Sequence, residues 1–323
     1  MMKAKLASNQ PTFSVVGPVY DEVETLRDFY DRVQAAMDAI GEPWELVLVD
    51  DGSMDGSSDV IRELAFEDIR VRPVLFSRNF GHQIAVTAGM DYSRGQAVVI
   101  IDTDLQDPPE LISELAEKWR EGYEVVYAVR TEREGEGWFK RATAAVFYRV
   151  INRITEVDIP VDAGDFRLLD RKVVEVLKKM REHHRFPRAM TAWVGFKQIG
   201  VNYKRSARQA GETKYPFRKM FRLAINAVTG FSYFPLQLAT YFGFLSAALA
   251  ILAIPIVIYL RLSGRGELSG QATTLIAVLF LGGVQLISLG ILGEYIGRLY
   301  DEAKNRPLYI LREQPEEVTE KER

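Results

Sequence analysis

The sequence predicts an α/β protein: a mainly parallel sheet flanked by helices, then an interfacial amphipathic helix and two C-terminal transmembrane helices. Three observations carry this reading. Short apolar runs alternate with helical periodicities up to about residue 213. Two long runs without any charged side chain follow Arg222. Each of the first apolar runs ends in a cluster of polar residues.

The elements follow in order. Phe13–Gly17 reads as a short apolar strand and Trp44–Asp50 as the next. Between them, Glu22–Ile40 carries Leu26, Phe29, Tyr30, Val33 and Met37 on one helical face. A second helix begins near Ser57. Further strands are expected at Val71–Phe76, Ala97–Asp102 and Glu124–Val129, and helices at His82–Tyr92, Pro109–Glu121 and Trp138–Thr155. Apolar strands separated by helices pair in parallel with both faces covered. Ligands in such sheets bind beyond the carboxyl ends of the strands.

The composition changes at the end of this region. Leu223–Leu260 contains no charge in 38 residues and Leu268–Gly293 none in 26. At 1.5 Å per residue the second run spans ~39 Å, ample for a ~30 Å hydrocarbon core. The first, at ~57 Å, is too long for one crossing. Pro235 divides it into an amphipathic helix over 214–234 and a span over about 236–260, with the second span at about 270–294. Residues 1–213 form the first domain, 235–297 hold the two spans, and 298–323 make a tail expected to be disordered beyond Arg312. Eight Lys/Arg and one acid lie between Lys197 and Arg222, whereas the connection from Arg261 to Gln271 has only Arg261 and Arg265. Basic residues concentrate on the cytoplasmic side, so the first domain and both termini are expected there, in a bacterial inner membrane. Gly282, Gly283, Gly290, Gly293 and Gly297 give the second span a small-residue face compatible with self-association.

Composition excludes several classes. A net charge of -3 gives no nucleic-acid footprint. With no cysteine there is no disulfide, zinc-thiolate site or thiol nucleophile. The three histidines do not form H-E-x-x-H, so any metal is held by oxygen. Met1–Gln10 lacks an apolar core, so no cleaved signal peptide is expected. Neither G-x-G-x-x-G after the first strand nor G-x-x-x-x-G-K-[ST] occurs, which disfavours dinucleotide and P-loop enzymes.

Four polar clusters close the first four strands: Pro18-Val-Tyr-Asp-Glu22, Asp50-Asp-Gly-Ser53, Ser77-Arg-Asn-Phe-Gly81 and Asp102-Thr-Asp-Leu-Gln-Asp-Pro-Pro-Glu110. One alone would be turn chemistry; four on one sheet edge indicate a site. Asp102 and Asp104 bring hard oxygen ligands to a cation such as Mg²⁺ or Mn²⁺, which suits a nucleotide diphosphate. Asp162 and Asp165 precede a further short apolar strand, where either is a general base or a turn residue paired with Arg167. The basic segment Arg205–Tyr215 is either a phosphate clamp or a belt against anionic lipid. His82 reads as a helix-capping or packing residue, and Trp119, Trp138 and Trp193 as core or interface aromatics.

On these motifs the chain resembles family 2 glycosyltransferases of the type A, Rossmann-like fold. Within them it is similar to the polyprenyl-phosphate branch, the dolichol-phosphate mannose synthases and bacterial undecaprenyl-phosphate glucosyltransferases. The resemblance covers nearly the whole chain and is carried above all by Asp102–Glu110. It implies that Asp102, Asp104 and Gln106 approach the metal. Pro18, Tyr20, Glu22, Asp50, Asp51, Arg78, Asp102 and Thr103 would line the nucleotide-sugar pocket, and Arg208 and Lys214 would meet phosphates. Asp21 stands before Glu22 where the family usually has Asn. No Q-x-x-R-W motif of processive synthases occurs, which argues for a single transfer onto a carrier, and the resemblance implies inversion at the anomeric carbon. The expected donor is UDP-glucose, with GDP-mannose or UDP-N-acetylglucosamine as alternatives, and the expected acceptor a polyprenyl phosphate. A non-catalytic membrane scaffold of the same fold is the reading from another class.

Overall fold

A computed structural model of the chain describes residues 10–130, 163–204, 229, 232–263 and 270–313. The helix expected at Trp138–Thr155 lies outside the described residues, as does nearly all of the amphipathic helix over 214–234. The described residues form two compact units, one of 10–130, 163–204 and 307–313, the other of 229, 232–263 and 270–306.

The first unit is built on seven strands: β1 (Phe13–Val19), β2 (Trp44–Asp50), β3 (Val71–Leu75), β4 (Ala97–Ile100), β5 (Val125–Arg130), β6 (Ala163–Asp170) and β7 (Gln198–Tyr203). Between them run α1 (Leu26–Ile40), α2 (Ser57–Glu67), α3 (His82–Tyr92), α4 (Ile112–Arg120), α5 (Arg171–Lys179) and α6 (Pro187–Trp193). The strand order is β3-β2-β1-β4-β6-β5-β7. β1 to β4 are parallel, β6 runs antiparallel to both neighbours, and β7 is parallel to β5. The sheet is thus mainly parallel, as expected, with β6 the exception. Every residue of β1 and β2 is buried, because helices cover both faces. The face of α1 read from the sequence meets the sheet through Leu26, Phe29, Val33 and Met37, all fully buried beside Phe13, Leu46 and Leu48.

Two details differ from expectation. Asp165 lies within β6 rather than before it. Elements α5, α6 and β7 emerge only in the structure, because each is a run of only six to nine residues.

At the end of the sheet away from the polar loops, Glu45 is buried and serves as a polar anchor. It accepts hydrogen bonds from Ser14 Oγ (2.6 Å), the Arg94 backbone N–H (2.7 Å) and Arg94 Nε (2.9 Å). Ser14 Oγ also accepts from the Gly95 N–H at 2.7 Å. One carboxylate therefore ties β1, β2 and the turn into β4 together, and burial is tolerated because its oxygens are partnered.

The second unit holds α7 (Phe234–Leu262) and α8 (Gly270–Ala303), both long and apolar enough to cross a membrane. Pro235 sits in the first turn of α7, where its missing N–H costs nothing. Leu245, Ile254, Leu286 and Leu289 face outward, as lipid-facing positions do. Tyr295 Oη donates to the Ser232 carbonyl at 2.7 Å, joining the ends of the hairpin. α8 runs to Ala303, past the boundary near 294 expected from the sequence.

Replacing Glu45 by Ala leaves the Ser14 hydroxyl, the Arg94 backbone N–H and the Arg94 guanidinium without this acceptor. The fold should lose about 2–4 kcal/mol, read as a lowered unfolding midpoint of the solubilised full chain. An unchanged midpoint would show that the anchor is dispensable.

Candidate active site

The strand order creates the site. From β1 the chain winds to β2 and β3 on one side, then crosses back to β4 on the other. Such a switch point leaves a crevice at the carboxyl ends, here between β1 and β4. Thr103 Oγ1 bridges it, donating to the Pro18 carbonyl at 3.0 Å. Gly17 makes room for this approach, since a Cβ there would meet Thr103 Cγ2 at 3.0 Å.

The loops around the crevice are laced by carboxylates. Asp50 is buried and accepts from the Ser53 N–H at 2.9 Å and from the Ser58 hydroxyl. Asp51, also buried, accepts from the Phe80 N–H at 2.6 Å and the Gly81 N–H at 2.9 Å. Burial raises the Asp51 pKa, and these two donors oppose the rise. Gly52 has φ +74°, and a Cβ there would lie 2.5 Å from the Arg78 carbonyl carbon. The turn after β2 and the loop after β3 therefore pack backbone to backbone. Asp21, at φ 53°, donates its N–H to Ser53 Oγ (3.0 Å) and accepts from the Met54 N–H (2.9 Å). The Glu22 N–H donates to Ser57 Oγ at 3.0 Å, and Glu22 accepts from Thr25 Oγ1 at 3.1 Å.

At the mouth of the crevice four side chains converge. His82 Nε2, at the start of α3, stands 3.6 Å from Asp102 Oδ1 and 3.5 Å from Asp165 Oδ2. Arg188 Nε donates to Asp165 Oδ1 at 2.7 Å. The two carboxylates sit in opposite environments. Burial pushes the Asp102 pKa up to about 6, with Asp165, Asp107 and Asp104 adding repulsion and His82 opposing. Burial alone would also raise Asp165, but His82, Arg188 and Arg167 outweigh it and hold it well below the ordinary carboxylate range. Burial works against charging His82, yet Asp165 and Asp102 prevail and raise its pKa.

The donor set fits a divalent cation. Asp102 Oδ1 is covered and has no hydrogen-bond partner among the described residues. Asp104, two residues on, receives the Gln106 N–H at 3.1 Å on Oδ1. No group of three carboxylate or imidazole ligands is preassembled among the described residues. Mg²⁺ and similar ions need only one or two carboxylates, with water and substrate phosphate completing the shell.

The residues singled out from the sequence thus divide. Pro18, Thr103, Asp102, Asp104, Gln106 and Asp165 border the crevice or its mouth, and Asp50 and Asp51 work from below by organising loops. Tyr20 is about half exposed, and Arg78 stacks 4.0 Å over the Phe80 ring. Asp162, Arg208 and Lys214 lie outside the described residues. Asp165 pairs with Arg188 and His82, whereas Arg167 is buried and donates to Thr191 Oγ1 and the Gly164 carbonyl. Sequence reasoning missed His82 as a site residue, along with Arg188, Asp107 and Tyr203. Tyr203 donates to Asp107 and accepts from Arg130 Nε at 3.3 Å. The one local signal was the location of His82 directly after a strand-end loop.

Comparison with known proteins matches residues 14–178 to the family described as glycosyl transferase family 2, and residues 234–299 to the GtrB C-terminal hairpin. The uncharacterized glycosyltransferase YkcC of Bacillus subtilis (strain 168) is 52% identical over 93% of each chain. The prophage bactoprenol glucosyl transferase homolog of Escherichia coli (strain K12) is 42% identical, over 93% of this chain and 98% of that one. The bactoprenol glucosyl transferase of Shigella phage SfII is also 42% identical, over 93% and 97%.

The raised pKa of Asp102 has a sign that can be checked. Its folded pKa lies above the unfolded value near 4, so stability falls as pH rises from about 4 through about 6. Asp102→Asn should therefore stabilise the protein by about 1–3 kcal/mol at pH 7 and by nothing at pH 4, read from unfolding midpoints without added metal. An equal effect at both pH values would refute the burial of an unbalanced carboxylate.

Proposed function

The chain belongs to glycosyl transferase family 2, and from that premise we propose that it transfers glucose from UDP-glucose to a polyprenyl phosphate at the cytoplasmic face of a membrane, with inversion at the anomeric carbon. The observation that carries this reading is the covered Asp102 Oδ1 at the β1–β4 switch point, without a hydrogen-bond partner among the described residues and 3.6 Å from His82, in a chain that continues into two helices long and apolar enough to cross a membrane. The relatives named as bactoprenol glucosyl transferases, similar over nearly the full chain, support both the sugar and the lipid acceptor.

Asp102 and Asp104, with Gln106 beside them, would hold Mg²⁺ or Mn²⁺, whose Lewis acidity neutralises a leaving diphosphate when it is bound. Pro18, Tyr20, Glu22, Thr103 and Arg78 border the nucleotide-sugar, and Asp50 and Asp51 keep their loops in place. The acceptor needs little help to attack. A phosphate monoester has its second pKa near 6, so it is largely a dianion at pH 7. Asp165 is a weak base, being held low by His82 and Arg188. It instead orients the sugar or the acceptor, and the same role falls to Asp162. Arg208 and Lys214, in the basic segment before the membrane, clamp phosphates.

The same-side location of both chain ends has two supports. Residues 307–313 belong to the same compact unit as residues 10–130, so a two-helix hairpin returns the chain to the side it left. The basic residues between Lys197 and Arg222 make that side cytoplasmic.

Purified protein given UDP-glucose, Mn²⁺ and undecaprenyl phosphate should form a sugar lipid, and parallel reactions with GDP-mannose and UDP-N-acetylglucosamine should give far less. Product from another donor alone would reassign the sugar; none from any donor would reject the reading. Asp104→Ala should lower turnover by roughly 100-fold or more with the circular dichroism spectrum unchanged. Near-normal turnover would remove the metal role.

A further inference from the structure

The stretch beyond the second membrane-crossing helix is bound to the α/β unit at a specific place. Phe76 and Leu311 form an antiparallel bridge. The Ser77 N–H donates to the Ile310 carbonyl at 2.9 Å, and the Arg312 N–H donates to the Leu75 carbonyl at 2.8 Å. The Tyr309 ring stacks on Phe76, with centroids 5.1 Å apart and planes 14° apart. Tyr309 Oη donates to Asp91 Oδ2 at 2.9 Å, and Arg181 pairs with the same carboxylate at 2.8 Å.

β3 is an edge strand, and covering an edge is a common use for a passing segment. The pattern here is narrower than that. Pairing begins only at Leu75–Ser77, where β3 gives way to the loop that leads to α3. Asp91, which receives the Tyr309 hydroxyl, lies in the last turn of α3, the helix that loop feeds. The segment therefore grips the elements on both sides of Ser77–Gly81. That loop supplies the Phe80 and Gly81 N–H groups to Asp51 and leads directly to His82, beside Asp102 and Asp165. Inside it, Phe80 packs edge-on against Phe76, the ring on which Tyr309 stacks. Tyr309 itself is only six residues beyond Ala303, the end of α8.

We propose that Tyr309–Arg312 is a positioning strap that holds Ser77–Gly81, and through it Asp51 and His82, in the geometry that receives the nucleotide-sugar. The donor role of the loop rests on the reading under Proposed function; the mechanical role does not.

The test compares the full chain with one ending at Arg306, with Tyr309→Ala and with Tyr309→Phe, which keeps the ring but loses the hydroxyl. Backbone hydrogen exchange over residues 77–83 should accelerate about tenfold or more without the strap, while exchange over 44–50 stays unchanged. The KM for UDP-glucose should rise several-fold and the KM for undecaprenyl phosphate should hold. A peptide of residues 306–313 added in trans should reverse both changes, and Tyr309→Phe should fall between the parent and Tyr309→Ala. Unchanged exchange over 77–83 overturns the strap. Accelerated exchange with an unchanged donor KM overturns its positioning role. If the shortened chain also exchanges faster over 44–50, it has unfolded, and the Tyr309 pair decides by the same readouts. A parent enzyme inactive with every donor would reject the functional reading alone, since the exchange measurement still decides the strap.

Discussion

The hydrogen bond from Thr103 to the Pro18 carbonyl crosses the point where the connections after β1 and β4 leave in opposite directions, and the loops of the site surround it. Parallel strands deliver their carboxyl ends to one edge, so four successive connections must turn there. Each turn exposes backbone donors and acceptors that need partners. Asp21, Asp50, Asp51 and Asp55 supply many of them, which is why acidic residues crowd an edge before any ligand is considered.

The carboxylates at this edge serve two distinct purposes. Those of Asp50 and Asp51 accept hydrogen bonds from neighbouring loops, although burial still raises the Asp51 pKa. Asp102 Oδ1 is covered with no hydrogen-bond partner among the described residues, and burial with repulsion from Asp165, Asp107 and Asp104 outweighs the attraction of His82 3.6 Å away. Asp165, with similar chemistry and similar burial, is settled by His82 and Arg188. A buried carboxylate with a raised pKa marks a candidate place for positive charge, and under the proposed function Asp102 is that place.

How much of this is legible without coordinates can be judged element by element. Trp44–Asp50 and His82–Tyr92 were readable to the residue, the strand as a largely apolar run and the helix by the Gly81 and Ser93 that bound it. The membrane helices announce themselves by the absence of charge. The reversed direction of β6 has no such signature, since a strand buried on both faces looks the same in either direction. His82 was hidden for another reason. Its partners, Asp102 and Asp165, are distant in the chain, and a lone histidine after a glycine matches helix capping equally well. The Tyr309–Leu311 contact was hidden because four apolar or aromatic residues in a charged tail are too few to show a period.

The sequence by itself determined which residue types stand at the strand ends and where two helices long and apolar enough to cross a membrane lie. These follow from composition and local periodicity, which act over a few neighbours. Only the tertiary structure decided which carboxylates are neutralised by neighbours and which is left wanting, and which end of the chain returns to hold the loop before α3. Those outcomes depend on distances between residues far apart in the chain, and desolvation and Coulomb interactions are fixed only once packing has set those distances.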